Sequence, residues 1–135
     1  MKAIKDIRLP NYDYSSMGYY FVTVSSDGSE RFLEQYQAAI IRALESLSKD
    51  NAILDFYVIM PDHLHMIIAL ENSGLTLGEV IRRFKSRASR EAGIKLWQPN
   101  YYEHVIRTEK ALNKIREYIR DNPEALEIKL EEMYK

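Results

Sequence analysis

The chain has 135 residues, 46% hydrophobic and 29% charged, with a net charge of −1 and no cysteine. That suits one folded domain spanning 1–135 and excludes disulfides, thiolate metal sites and cysteine nucleophiles. The charge balance argues against a protein that coats nucleic acid non-specifically but leaves room for a local basic face. No run reaches the roughly 18 apolar residues of a membrane span, and no apolar segment follows the N-terminal lysines, so the expected address is cytoplasmic.

Residues 1–18 carry Lys2, Lys5 and Arg8 against Asp6 and Asp13, with Pro10 and Gly18. This composition predicts an extended arm, strapped on the surface or touching a nucleic-acid partner. Tyr19 to Ser25, YYFVTVS, is aromatic and β-branched and predicts a strand. From Phe32 to Lys49, Phe32, Tyr36, Ala39, Ile40, Ala43, Leu44 and Leu47 recur at helical spacing, predicting one helix.

The stretch Ala52 to Leu70, AILDFYVIMPDHLHMIIAL, reads as two apolar strands joined at Pro61-Asp62, a pair suited to an antiparallel hairpin turn. Just past the turn, His63 and His65 share one strand face, because side chains alternate and residues two apart lie roughly 6.6 Å from one another. That spacing lets two imidazoles share a metal ion. It equally fits two solvated histidines on a wet sheet edge. Asp62 reads as a turn former.

Thr76 and Glu79 have capping-box spacing, opening a helix to about Ala92 that buries Leu77, Val80, Ile81, Phe84 and Ala88. Its other face holds Arg82, Arg83, Lys85, Arg87 and Arg90. Six basic residues against two acidic between Thr76 and Lys95 suit either a solvated face or a phosphate-backbone contact. A strand follows around Tyr102 to Ile106, then a helix from Glu109 to Asp121 with Leu112, Ile115 and Ile119 as its buried stripe. Pro123 ends it and places Asn122 at its C-terminal lip, four residues beyond Tyr118. The tail 124–135 is acidic and weakly amphipathic.

The order strand, helix, strand, strand, helix, strand is the α+β, ferredoxin-like split-βαβ plan, to which a C-terminal helix is added. Within it, RLPNYDYS, YYFVTV, YVIMPDHLHMII, IRRFKSR, WQPNYYEHVIR and IREYIRDNP stand in the order found in the HUH-type single-tyrosine transposases. The resemblance is closer still to their relatives, the REP-associated tyrosine transposases. Neither His-Leu-His nor a helical tyrosine is specific alone. Together with Tyr-Ile-x-x-Asn-Pro at this separation they are.

The resemblance implies a DNA nicking and joining enzyme in which Tyr118 is the nucleophile and His63 and His65 hold a divalent cation, Mg²⁺ or Mn²⁺. Asn122 stands where the family places a third, oxygen ligand, often glutamine; a shorter asparagine also suits a helix C-cap. The implied substrate is single-stranded or hairpin DNA resembling repetitive extragenic palindromes. Arg82, Arg83, Lys85 and Arg87 are expected on phosphates, Tyr12, Tyr14 and Trp97 on bases, and Arg8 and Asn11 of the arm at the hairpin foot. His104 lies in a matching segment and is expected to be structural or DNA-facing. The family implies either a monomer or a homodimer. Two other functions fit the same fold: a hairpin-binding regulator without catalysis, and a small hydrolase using the histidines with a water nucleophile.

Overall fold

In the computed structural model, residues 17–28, 31–71 and 74–125 are described. The elements are β1 (Met17–Ser25), α1 (Gln37–Glu45), β2 (Ala52–Ile59), β3 (His63–Glu71), α2 (Leu77–Ala92), β4 (Tyr102–Ile106) and α3 (Glu109–Asp121). The strands form one antiparallel sheet in the order β2-β3-β1-β4, so the hairpin β2–β3 is set beside β1, with β4 at the opposite edge. This is the ferredoxin-like plan that the sequence predicts.

The sheet's two faces are covered unequally. On one, Tyr20, Val22 and Val24 of β1 and Leu64, Met66, Ile68 and Leu70 of β3 pack with the apolar stripes of α1 and α2. On the other, Tyr19, Phe21, Ile67, Ala69 and Ile106 meet Leu112, Ile115 and Ile119 of α3. Period-two alternation along β1 and β3 assigns each residue to its layer. It also puts His63 and His65 on the face that α3 covers, away from α1 and α2.

The predicted helix from Phe32 to Lys49 is not continuous. It splits into a 3₁₀ turn at Leu33–Tyr36, the α1 segment, and a 3₁₀ turn at Ser46–Asp50. Two local features divide it. Leu33 gives its N–H to Pro61 O at 2.9 Å, outside any helix. The Ser46 and Ser48 hydroxyls return to Ala43 O and Glu45 O, a competition that weakens helical backbone. Asn51, at φ 56°, then reverses the chain into β2.

β1 starts at Met17, two residues before the predicted strand, because Met17 and Gly18 still pair with Glu71 and Leu70. Thr76 caps α2 by accepting the Glu79 N–H at 3.2 Å. The Glu79 carboxylate meanwhile takes Arg82 and Arg83. β2 contains a bulge: Leu54 and Phe56 face consecutive β3 residues, Ile68 and Ile67, leaving Asp55 as the extra residue. After α3, Pro123–Ala125 form a 3₁₀ turn; the rest of the tail and the arm before Met17 lie outside the described residues.

Candidate active site

The turn that launches β3 is held at three points. Met60 N–H donates to His63 O at 2.8 Å, Ser26 N–H to Asp62 O at 2.9 Å, and Leu33 N–H to Pro61 O at 2.9 Å. Backbone from β1 and from the start of the first helical segment therefore fixes where the two histidines emerge. Their rings lie with centroids 4.6 Å apart at 69°, so the same-face expectation is met by contact.

Each imidazole has its Nδ1 engaged by an oxygen. His63 Nδ1 lies 2.7 Å from Asp62 Oδ1. A carboxylate can only accept, so the proton sits on Nδ1. His65 Nδ1 meets Thr23 Oγ1 at 2.8 Å, because Thr23 is its cross-strand partner in the β1–β3 register. When His65 donates from Nδ1, Nε2 of each ring keeps a lone pair, the orientation that oxygen partners give to metal-binding imidazoles.

His65 is 1% exposed and its ring stacks on Phe21, centroids 5.5 Å apart. Burial, and then the neighbouring His63, push its pKa down to about 4, against a small opposing pull from Asp62. The ring is thus neutral at neutral pH, the form that ligates. Among the described residues no group of three His, Cys, Asp or Glu side chains forms a metal-sized cluster. Two imidazoles oriented through Nδ1, with His65 held neutral by burial, suit Mn²⁺ or Mg²⁺ with oxygen ligands completing the shell.

Tyr118 is half-buried on α3 and packs with the layer that contains Phe21, the residue beneath His65. Tyrosine and imidazoles thus share one face of the sheet. Asn122 is exposed one helical turn on, at φ −156°, its N–H donating to Tyr118 O at 2.8 Å. With ψ 62° it leaves the helical region without entering the left-handed one, and the following proline disfavours any continuation of the helix through it.

Other predicted site residues fall elsewhere. Trp97 is 3% exposed and packs on Phe84, centroids 5.8 Å apart, within the α1–α2 core. It is a core residue and presents no face for a base to stack on. The polar QPN that follows it disguises this in the sequence, while the bridge pairing Ser26 with Trp97 draws it inward.

Arg82, Arg83, Lys85 and Arg87 stand on α2, in the layer behind the sheet from the histidines, and each has an intramolecular partner. Arg82 pairs with Glu79. Arg83 and Arg87 grip the two oxygens of buried Asp50 at 3.1 and 2.9 Å. Lys85 Nζ closes the 98–100 turn through Gln98 O at 2.7 Å. Burial opposes ionisation of Asp50, but the Arg87 and Arg83 hydrogen bonds hold its carboxyl below the usual range. The four predicted contacts from the arm, Arg8, Asn11, Tyr12 and Tyr14, lie outside the described residues.

His104 sits on the imidazole face opposite Phe21, its ring stacked on Tyr102 at 6.3 Å. Burial and then Arg107 lower its pKa. Thr23 and Asp62 are the partners of the two histidines that sequence reading misses. Asp62 is adjacent to His63, but Thr23 is visible only once strand register is known.

The ferredoxin-like sheet thus carries paired imidazoles on an inner strand, with a tyrosine-bearing helix over the same face. Residues 13–122 match the family described as IS200-like transposases, and the chain belongs to that family. It is 29% identical to the REP-associated tyrosine transposase of Escherichia coli K12, over 82% of this chain and 68% of that one. It is also 32% identical to a Haemophilus influenzae protein without an assigned function, over 88% and 87% of the two chains. Among solved structures, a REP-associated tyrosine transposase bound to a REP hairpin superposes with a TM-score of 0.72 at 24% identity, covering 91% of this chain and 73% of that one. Among the described residues, no helix is long and apolar enough to cross a membrane.

Proposed function

We propose that the chain nicks and rejoins single-stranded, hairpin-forming DNA through a 5′-phosphotyrosine at Tyr118. The phenol oxygen attacks phosphorus, the P–O bond to the 3′ oxygen breaks, and the departing oxygen takes up a proton to leave a free 3′-OH. A second 3′-OH reverses the step, releasing the phenol and joining strands without an external energy source. A phenol pKa of about 10 makes the tyrosine a poor nucleophile until it loses its proton, yet a workable leaving group on the way back.

His63 and His65, with Asn122 as a candidate third donor, would hold Mg²⁺ or Mn²⁺. When bound, the cation supplies Lewis-acid neutralisation of charge on the scissile phosphate. Asp62 and Thr23 orient the two rings and keep Nε2 of each directed away from its oxygen partner. Burial keeps His65 neutral.

The observation that supports this reading most is the meeting, on one sheet face, of two imidazoles already fixed through Nδ1 and the layer into which Tyr118 packs. Hairpin DNA as substrate is supported by the solved relative, which binds a REP hairpin. Arg83 and Arg87 are assigned here to holding α2 against Asp50.

The test is incubation of the chain with Mn²⁺ and a palindromic hairpin oligonucleotide labelled on the strand 3′ of the cut. A denaturation-resistant protein–DNA species that disappears in Tyr118→Phe is the expected result. An adduct that persists in Tyr118→Phe overturns the assignment of the nucleophile. Cleavage with no adduct favours a water nucleophile, and binding without cleavage a regulator.

A further inference from the structure

The bulge in β2 has a chemical purpose at the other layer. Without an extra residue, Leu54, Phe56 and Val58 would all face the same way. The bulge turns Leu54 into the α1–α2 core and sends Phe56 and Val58 to the α3 layer. Asp55 then projects towards α3 as well. A bulge that re-aims a side chain in this way is a specific feature rather than an irregularity.

What Asp55 meets there is Arg116. Arg116 Nε lies 2.8 Å from Oδ2 and a terminal guanidinium nitrogen 3.0 Å from Oδ1, a two-pronged pair. The other terminal nitrogen donates to Asn113 Oδ1 at 3.0 Å. The Asp55 side chain is 1% exposed and the Arg116 side chain 13%. Such a pair has little claim as a device for stability, since apolar residues of similar volume do as well or better. Its distinctive property is direction: two parallel N–H···O bonds hold one azimuth and one height.

α3 needs such a constraint. Its stripe of Leu112, Ile115 and Ile119, flanked by half-buried Ala111 and Tyr118, meets the sheet through apolar packing, and apolar contact is non-directional. At about 100° per residue, Arg116 and Tyr118 are about 200° apart and flank opposite sides of that stripe. Rolling the helix about its axis therefore swings both. A roll of about 20°, acting about 6 Å from the axis, carries a side chain about 2 Å. Reacting groups tolerate far less, since a displacement of about 1 Å can cost about a hundredfold in rate.

We propose that Asp55 and Arg116 are positioning residues, a bulge-borne clamp that sets the roll of α3 and thereby the aim of the Tyr118 hydroxyl. The inference rests on Tyr118 being the nucleophile, and its test separates the two. Arg116→Met leaves Asp55 buried without its partner and lowers the melting temperature. Asp55→Leu combined with Arg116→Met removes both charges and restores it.

In the double variant, hairpin affinity stays within about twofold of the parent, while single-turnover cleavage at saturating hairpin stays at least about tenfold slower. With 3-fluorotyrosine at position 118, the parent gives one narrow fluorine resonance and the double variant a broadened or split one. A double variant that recovers melting temperature, cleavage rate and a single narrow resonance together overturns the proposal, leaving the pair a structural contact. A parent chain that forms no adduct sinks the nucleophile assignment instead, and the fluorine line then decides the clamp by itself. If Arg116→Met does not fold, the double variant carries the comparison with the parent.

Discussion

Replacing Thr23 by valine removes the hydroxyl that meets His65 Nδ1 at 2.8 Å and leaves the side-chain shape nearly unchanged. Thr23 and His65 are 4% and 1% exposed, so water has little access to replace the lost partner. A buried ring nitrogen left without a hydrogen bond costs about 1–3 kcal/mol. Taking about 2 kcal/mol for a chain of this size, the melting temperature falls by about 5–10 °C. The second effect is on ligation. Without the hydroxyl, nothing selects the His65 tautomer whose Nε2 is free, and loss of such an orienting partner weakens metal binding by about 10–100-fold.

The assays are thermal unfolding followed by circular dichroism and Mn²⁺ titration by calorimetry, with Thr23→Ser as the control that keeps the oxygen. Thr23→Ser should retain most of the Mn²⁺ affinity. If Thr23→Val unfolds at the parental temperature and binds Mn²⁺ as tightly, the hydroxyl neither supports nor orients His65, and the reasoning fails.

In the metal-free chain, His65 has a folded-state pKa of about 4 against 6.5 for the ordinary imidazole. The unfolded chain therefore binds the proton first, and stability is lost as pH falls from 6.5 towards 4, by about 3 kcal/mol in all. Urea unfolding across that window should show the loss, and His65→Leu should flatten it; an equally steep loss in His65→Leu assigns it to other groups. Trp97→Phe should fold, because Trp97 Nε1 is buried with no hydrogen-bond partner among the described residues, and should bind hairpin DNA within about twofold of the parent. A large loss of affinity in a folded Trp97→Phe would return that ring to the DNA interface. Asp50→Asn should cost about 1–3 kcal/mol by weakening the contacts to Arg83 and Arg87, read by urea denaturation. An unchanged midpoint would show that those arginines do not tie α2 to the turn before β2.

The elements with strong periodicity are legible without coordinates. The bounds of α3 and β4 coincide with those read from the stripe Leu112, Ile115, Ile119 and the strand around Tyr102 to Ile106. His63 and His65 are legible as a pair because alternation along a strand does not depend on anything distant. What required the fold depends on partners far away in the chain. Thr23 becomes the neighbour of His65 only through the β1–β3 register, 42 residues apart.

Asp55 is hidden for a related reason: a bulge breaks the alternation from which faces are read, and Arg116 lies 61 residues further on. The partners of the basic face of α2 are hidden in the same way. Its arginines look unaccompanied in the sequence, yet Asp50, 33 and 37 residues upstream of Arg83 and Arg87, takes a hydrogen bond from each in the turn that follows α1.

The unequal covering of the sheet sets the order in which the molecule comes apart. Among the described residues, twenty buried side chains form the core beneath α1 and α2, and eight form the one beneath α3. Amides of α3 should therefore exchange with deuterium sooner than those of β3 and β1, through an opening that leaves the larger core intact. A lone helix hinged on a surviving body is the piece a protein can lift and reseat at small cost, and here that piece carries Tyr118.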